Sequence, residues 1–313
     1  MKKRILGNTG ISISEVGYGA SALFGRDVLG KQGITEEKAY DLITTAIKRG
    51  VMLFDTGINY GYAEERLGRC ISAAIGEGIA TRENLVIETK CGETIYPDGS
   101  YGTLDWSTEN LKSNLELSLK RLQLNYVDLY AMHGECDDTR KVEGIVKTFQ
   151  EMRTQGLIRA YGVNTFNTEF LEWVAQEKCF DYVMLDYNIM RQDREPLIEK
   201  LTKAGVAVIA GSAMGESLYS KKIFRIKNRN DFWYLARAIV RFRELMNKSK
   251  DFKFLTSQDG NTANQLALRY VLDNEHISSA CFSTINIDHL IENLKAVDIE
   301  MPEKIRKEIM RRG

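Results

Sequence analysis

Asp55, Tyr60, Lys90 and His133 carry the residue types and spacing that could do chemistry together. The first two belong to "VMLFDTGINYGY", where Met52, Leu53 and Phe54 read as a short core strand, Asp55 ends it, and Tyr60 follows in a loop holding Gly57 and Gly61. Lys90 ends the β-rich run "LVIETK", and His133 ends "DLYAMH". Taken singly, each has a plainer use: a strand-end Asp caps a turn, a Lys is solvated, and a lone His is a hydrogen-bonded structural residue. A buried strand that ends in an ionisable group is costly unless the group is paired, so acid, base and imidazole on successive strands point to one shared site. The chemistry open to such a set is proton transfer by a phenol whose ionisation a nearby cation eases.

The elements that would position these residues alternate regularly. Strands are expected at "EVGYGA", "VMLFD", "NLVIETK", "NYVDLYAMH", "LIRAYGV", "DYVMLDY", "VAVIAGS" and "ISSACFS", with amphipathic helical segments between them. Among the helices, "STENLKSNLELSLKRL" starts with Ser107 as N-cap, and "EEKAYDLITTAIKRG" ends at Gly50. "GNTG" reads as a hairpin turn near the start, and "DFWYLARAIVRFRELMNKS" as a helical insertion late in the chain. Eight strand-then-helix units over 313 residues suit one (β/α)8 barrel spanning 1–313, with an N-terminal β-hairpin and long loops at its C-terminal face, where barrel chemistry sits. An open doubly wound sheet is the alternative, but "GYGASA" keeps only the first two glycines of the dinucleotide fingerprint.

Composition excludes several classes of function. The 43 basic and 43 acidic side chains cancel, so no global field draws the chain to nucleic acid or an anionic membrane, and any anionic ligand needs a local site. No apolar run is long enough to span a bilayer, and "MKKRILGNTG" lacks the apolar stretch of a signal peptide, so the cytoplasm is the expected compartment. Cys70, Cys91, Cys136, Cys179 and Cys281 are scattered without a disulfide or zinc pattern and read as free thiols. Cys91 and Cys136, beside the candidate residues, are the two that oxidants could reach. No ligand cluster for a metal is evident, and nothing in the sequence fixes an oligomeric state.

From end to end the chain resembles the aldo-keto reductase family. The likeness is carried by "RILGNTGISISEVGYGAS", "FDTGINYGYAEERLG", "VIETK", "LKRLQLNYVDLYAMH", "IRAYGVNTF", "ANQLALRYVL" and "DHLIENL". It implies a catalytic tetrad of Asp55, Tyr60, Lys90 and His133 that interconverts a small-molecule carbonyl and an alcohol with NADP(H), or with NAD(H) as the other candidate. Tyr60 would supply the proton, Lys90 would ease its ionisation, Asp55 would hold Lys90, and His133 would hydrogen-bond the carbonyl oxygen.

The same resemblance assigns a cofactor site. Gly19 and Ala20 fall at the end of the first strand, and Asn164 and Thr165 stand where the family has a Ser-Asn pair. Met184 replaces an expected Gln, and Gly211 an expected stacking aromatic, so Tyr187 or Tyr219 would have to cover the nicotinamide. Ser212, Met214, Gly215, Ser217 and Leu218 form a small-residue phosphate loop. Ser283, Thr284, Asn286 and His289 occupy the places of a 2′-phosphate site without a permanent cation, and Glu292 and Asn293 would contact adenine. Lys221, Lys222, Arg225, Lys227 and Arg229 would clamp the cofactor or be solvated surface, and Tyr96, Tyr101, Trp106 and Trp233 are candidate substrate-pocket aromatics. Two competing readings are a nucleotide-binding regulatory subunit with little turnover, and a barrel lyase or isomerase that uses Tyr60 and Lys90 without hydride transfer.

Overall fold

The computed structural model describes residues 1–24, 34–96, 100–217, 243–257 and 260–313. Its first two strands, β1 (Lys3–Ile5) and β2 (Ser12–Ser14), pair antiparallel around the "GNTG" turn, which the Leu6 N–H closes on the Ile11 carbonyl at 2.9 Å. Eight parallel strands then close into a barrel. In chain order they are β3 (Val16–Gly19), β4 (Leu53–Asp55), β5 (Val86–Cys91), β8 (Val127–His133), β9 (Ile158–Asn164), β10 (Tyr182–Asp186), β11 (Ala207–Gly211) and β12 (Ile277–Phe282), and β12 returns to pair with β3. Each coincides with a strand expected from sequence, so the (β/α)8 reading holds and the open sheet is excluded.

The helices between them are α1 (Glu36–Lys48), α2 (Ala63–Gly76), α3 (Thr108–Leu122), α4 (Val142–Thr154), α5 (Thr168–Glu177), α6 (Glu195–Lys203), α7 (Arg243–Lys248), α8 (Ala263–Asp273), α9 (Ile287–Leu294) and α10 (Glu303–Arg312). Local chemistry fixes several starts. The side chains of Thr35, Ser107, Asn167, Thr262 and Asn286 each accept a first-turn backbone N–H, a contact that stabilises a helix by about 1 kcal/mol. Among the described residues no helix is long and apolar enough to cross a membrane.

Two features escaped the sequence. A second hairpin, β6 (Glu93–Ile95) with β7 (Tyr101–Leu104), stands directly after β5, and α10 ends the chain. Of the expected late insertion only α7 lies within the described residues; Leu218, Tyr219, the cations from Lys221 to Arg229, and Trp233 lie outside them.

The barrel interior explains which end can be a site. Leu6, Ile11 and Ile13 of the first hairpin pack with Leu53, Val86, Leu129, Ala160 and Ile209 from the strands, which seals the end of the barrel where the strands begin. Above that layer Gly162 makes room for the Tyr182 ring: a Cβ there would lie 2.4 Å from the Tyr182 carbonyl oxygen, inside any tolerable contact. The open end is therefore the one where the strands finish.

Candidate active site

Register brings the sequence candidates into one layer. Gly19 pairs with Asp55 across β3 and β4, His133 with Asn164 across β8 and β9, and Asn164 with Met184 across β9 and β10. Side chains alternate along a strand, so Lys90 points the same way as Glu88, into the barrel. The loop from Asp55 to Tyr60 is pinned over the end of β5: the Thr56 N–H donates to the Glu88 carbonyl at 2.9 Å and the Ile58 N–H to that of Lys90 at 3.2 Å. From outside, Arg121 and the Tyr101 hydroxyl both donate to the Ile58 carbonyl, at 3.0 Å each. Tyr60 is thus held on a loop that has backbone bonds on one side and side-chain bonds on the other.

All four residues meet. The buried Lys90 ammonium donates to Asp55 Oδ1 and, at 2.8 Å, to the Thr56 carbonyl, and it lies 5.4 Å from the centre of the Tyr60 ring. Tyr60 Oη is 3.4 Å from His133 Nε2, with the two rings edge to face at 84°. Behind His133, Nδ1 lies 3.1 Å from Oε1 of Glu93, and Asn59 Nδ2 donates to that same oxygen. Asp55, Asn59, Tyr60 and His133 border a cavity of about 590 Å³ lined also by Gly19, Asn164, Met184, Gly211, Ser212 and Ser217.

Burial and charge compete here, and the balance differs from group to group. Burial works to lower the Lys90 ammonium, but the charge of Asp55, to which it also donates, outweighs that and holds the amine above its ordinary value, so it stays cationic. Burial pushes the Tyr60 phenol up more than Lys90 pulls it down. The resting phenol therefore keeps its proton. Glu88 lies inside the barrel, where the Tyr182 hydroxyl donates to Oε1 at 3.0 Å while Oε2 has no hydrogen-bond partner among the described residues. Burial, only partly opposed by Lys90, pushes its carboxyl up to about 8.

Because the folded chain holds the Glu88 proton more tightly than the unfolded chain, the stability tied to it is complete below pH 4.5 and is lost as pH rises towards about 8. Glu88→Gln removes the buried acid and keeps an acceptor for Tyr182. It should raise the melting temperature at pH 8 by an amount equivalent to roughly 1–3 kcal/mol and flatten the decline between pH 5 and 8, as measured by calorimetry across that range. An unchanged slope would show that Glu88 does not hold this proton.

The sequence model of the Aldo/keto reductase family matches residues 15–311. The chain belongs to that family. Among its relatives, "Uncharacterized oxidoreductase YqkF" of Bacillus subtilis (strain 168) is 26% identical over 303 residues, covering 95% of this chain and 92% of that protein. "L-galactose dehydrogenase" of Arabidopsis thaliana is 28% identical over 305 residues, covering 94% and 87%. The structure of aldo-keto reductase AKR11C1 from Bacillus halodurans (holo form) superposes with a TM-score of 0.79 at 22% identity, over 100% of this chain and 96% of that one, a likeness of fold. The thermostable aldo-keto reductase Tm1743, solved with the inhibitor epalrestat, does so with a TM-score of 0.75 at 28% identity over all of both chains.

For this aldo/keto reductase some cofactor candidates line the cavity and others hold the fold, Ser283 doing both. Gly19, Asn164, Ser212, Met214, Ser217 and Ser283 line the cavity. The loop after β11 is tightly wound: Ser212, Gly215 and Ser217 have φ of 47°, 49° and 54°, a left-handed conformation unfavourable for the two serines. Within the turn the Gly215 N–H donates to the Ser212 carbonyl and the Ser217 N–H to that of Met214, each at 2.8 Å, which holds the loop wound beside the cavity. Gly215 also needs its missing side chain, since a Cβ there would meet Met190 Cε at 2.4 Å.

Other candidates serve the fold. The Ser283 hydroxyl donates to the Gly19 carbonyl at 2.6 Å and accepts from the Ala22 N–H, tying β12 to the turn after β3, where Ala20 is fully buried. Thr284 Oγ accepts the Asn286 N–H, and Asn286 caps α9 by accepting the His289 N–H. Glu292 and Asn293 lie on α9, with Asn293 buried and its Oδ1 without a hydrogen-bond partner among the described residues. The Thr165 hydroxyl donates to Glu135, away from the cavity.

Two expectations need correction. Tyr187 does not cover the nicotinamide site, because its buried ring sends the hydroxyl to Glu195 at 2.8 Å on the helical side of the sheet. Beside Gly211 it is Met184 that fills the space, 3.3 Å from where a Cβ would sit. Cys91 and Cys136 are both buried, and burial raises the Cys91 thiol, so neither is open to oxidants. Of the aromatics, Tyr96 and Tyr101 sit on the second hairpin and Trp106 packs on Gly92, while Phe166, half exposed, borders the cavity without having been singled out.

Proposed function

We propose that the chain interconverts a small-molecule carbonyl and its alcohol with a nicotinamide nucleotide, Tyr60 serving as proton donor. The observation that carries this reading is the buried Lys90 ammonium, paired with Asp55 beneath the Tyr60 ring, whose oxygen meets His133 at the cavity. A bound nicotinamide would supply the hydride. Asn164, Met184, Gly211 and the wound loop from Ser212 to Ser217 are the residues that would hold it; their donors and small side chains fit such a group. The protonated Tyr60 gives its proton to the oxygen as negative charge grows there, and Lys90 then stabilises the phenolate left behind. Asp55 keeps the ammonium placed, and His133 offers a second polar contact to the same oxygen.

NADP(H) is the proposed cofactor, with NAD(H) as the competitor, since no Lys or Arg stands between Ser283 and His289. Met184 takes the place of a stacking ring. Met184→Ala should therefore weaken nucleotide binding by about 1 kcal/mol, the scale of one thioether contact with an aromatic face, as measured by calorimetric titration. Unchanged affinity would remove Met184 from the site. Because one relative is named for L-galactose, sugars belong in the substrate panel beside simple aldehydes and ketones. Mixing the protein, NADPH or NADH and that panel tests the function itself. Carbonyl-dependent loss of reduced nucleotide supports it, whereas binding without turnover favours a regulatory subunit, and turnover with nucleotide unchanged favours a lyase or isomerase.

A further inference from the structure

We infer that Glu93 is a positioning residue that fixes the protonation pattern of His133, holding a proton on Nδ1 and presenting Nε2 to Tyr60. The inference rests on the proposed function only for its consequence; the geometry stands alone. Glu93 opens the second hairpin, one residue past Gly92, and its buried carboxyl places Oε1 3.1 Å from His133 Nδ1. Asn59 Nδ2 donates to that oxygen, which marks it as an acceptor. A bare ring nitrogen carries a lone pair, so a carboxylate oxygen 3.1 Å away disfavours it there and favours a proton on that nitrogen. Among the described residues Nδ1 makes no hydrogen bond, so Glu93 acts on it by charge and proximity.

With Nδ1 protonated, the uncharged ring has its lone pair on Nε2, facing Tyr60 Oη at 3.4 Å, and the phenol donates to it. His133 can then donate to a substrate oxygen only in its charged form, when Nε2 carries a second proton and Glu93 sits behind the positive ring. The hydrogen bond from His133 to the carbonyl, implied by family resemblance, thus belongs to the imidazolium and depends on a carboxylate that resemblance does not supply.

The chain has three histidines, so labelled imidazole nitrogens can be resolved by nuclear magnetic resonance on the full-length protein, with His133 assigned from a His133→Asn sample. At a pH where the rings are uncharged, wild-type His133 should show protonated Nδ1 and bare Nε2. Glu93→Leu removes the acceptor and should shift the ring to the Nε2–H form that prevails in free histidine. Glu93→Asp, which withdraws the carboxylate by one methylene, should shift it part of the way and serves if the Leu variant does not fold. A bare Nδ1 in the wild type, or the same pattern in every folded variant, overturns the inference. These spectra need neither cofactor nor turnover, so their failure is separate from any failure of the reductase reading.

Discussion

Tyr60→Phe should cut carbonyl reduction by roughly 10²- to 10⁴-fold, the usual share of a positioned acid, while leaving the fold and nucleotide affinity intact. The substitution removes one oxygen. The ring stays to pack beside Lys90 and edge-on to His133, and the loop that carries it is held by backbone bonds from Thr56 and Ile58 that do not involve the hydroxyl. Steady-state kinetics with any accepted carbonyl, together with nucleotide titration, would check both halves. A loss of nucleotide affinity equal to the loss of rate would assign Tyr60 to binding instead.

Lys90→Met should be nearly as damaging, and in two ways that a second substitution can separate. The ammonium and the Asp55 carboxylate are both buried and neutralise each other. Removing one partner leaves the other as an uncompensated buried charge, a loss of about 3–5 kcal/mol in chemical denaturation. The double variant Asp55→Asn/Lys90→Met removes both charges and should recover most of that stability. Turnover should not recover, because no cation remains to stabilise the Tyr60 phenolate. Recovery of turnover with stability would reduce the pair to a structural ion pair. Asp55→Asn alone should slow turnover and destabilise the fold through the stranded lysine.

The barrel was readable because its signals are local. Each apolar run and each cap, such as Ser107 before α3, sits within a few residues of the element it specifies. That Asp55, Tyr60, Lys90 and His133 come together was readable for a related reason: all four stand at or just beyond the ends of strands, and a closed barrel brings such ends together. What escaped depends on partners distant in the chain. Glu88 carries no signal of its own in "NLVIETK", and only closure of the barrel brings it to Tyr182. Thr165 could not be seen to serve Glu135, nor Ser283 to serve Gly19, since neither pairing follows from spacing. Glu93 had a signal that went unused. The Asp98-Gly99 pair in "YPDGSY" is a hairpin turn signal, and pairing across it makes Glu93 the first residue of a strand aimed back at His133.

Hydride transfer at this site is most directly measured with reduced nucleotide carrying deuterium at the transferable position of the nicotinamide. Wild-type protein is mixed with a carbonyl that it accepts, and the alcohol formed is analysed by mass spectrometry. The account predicts one deuterium on the former carbonyl carbon of each alcohol molecule, with formation slowed by roughly 10²- to 10⁴-fold in Tyr60→Phe. Alcohol formed without the label, or nucleotide bound with no carbonyl-dependent oxidation at all, would contradict it.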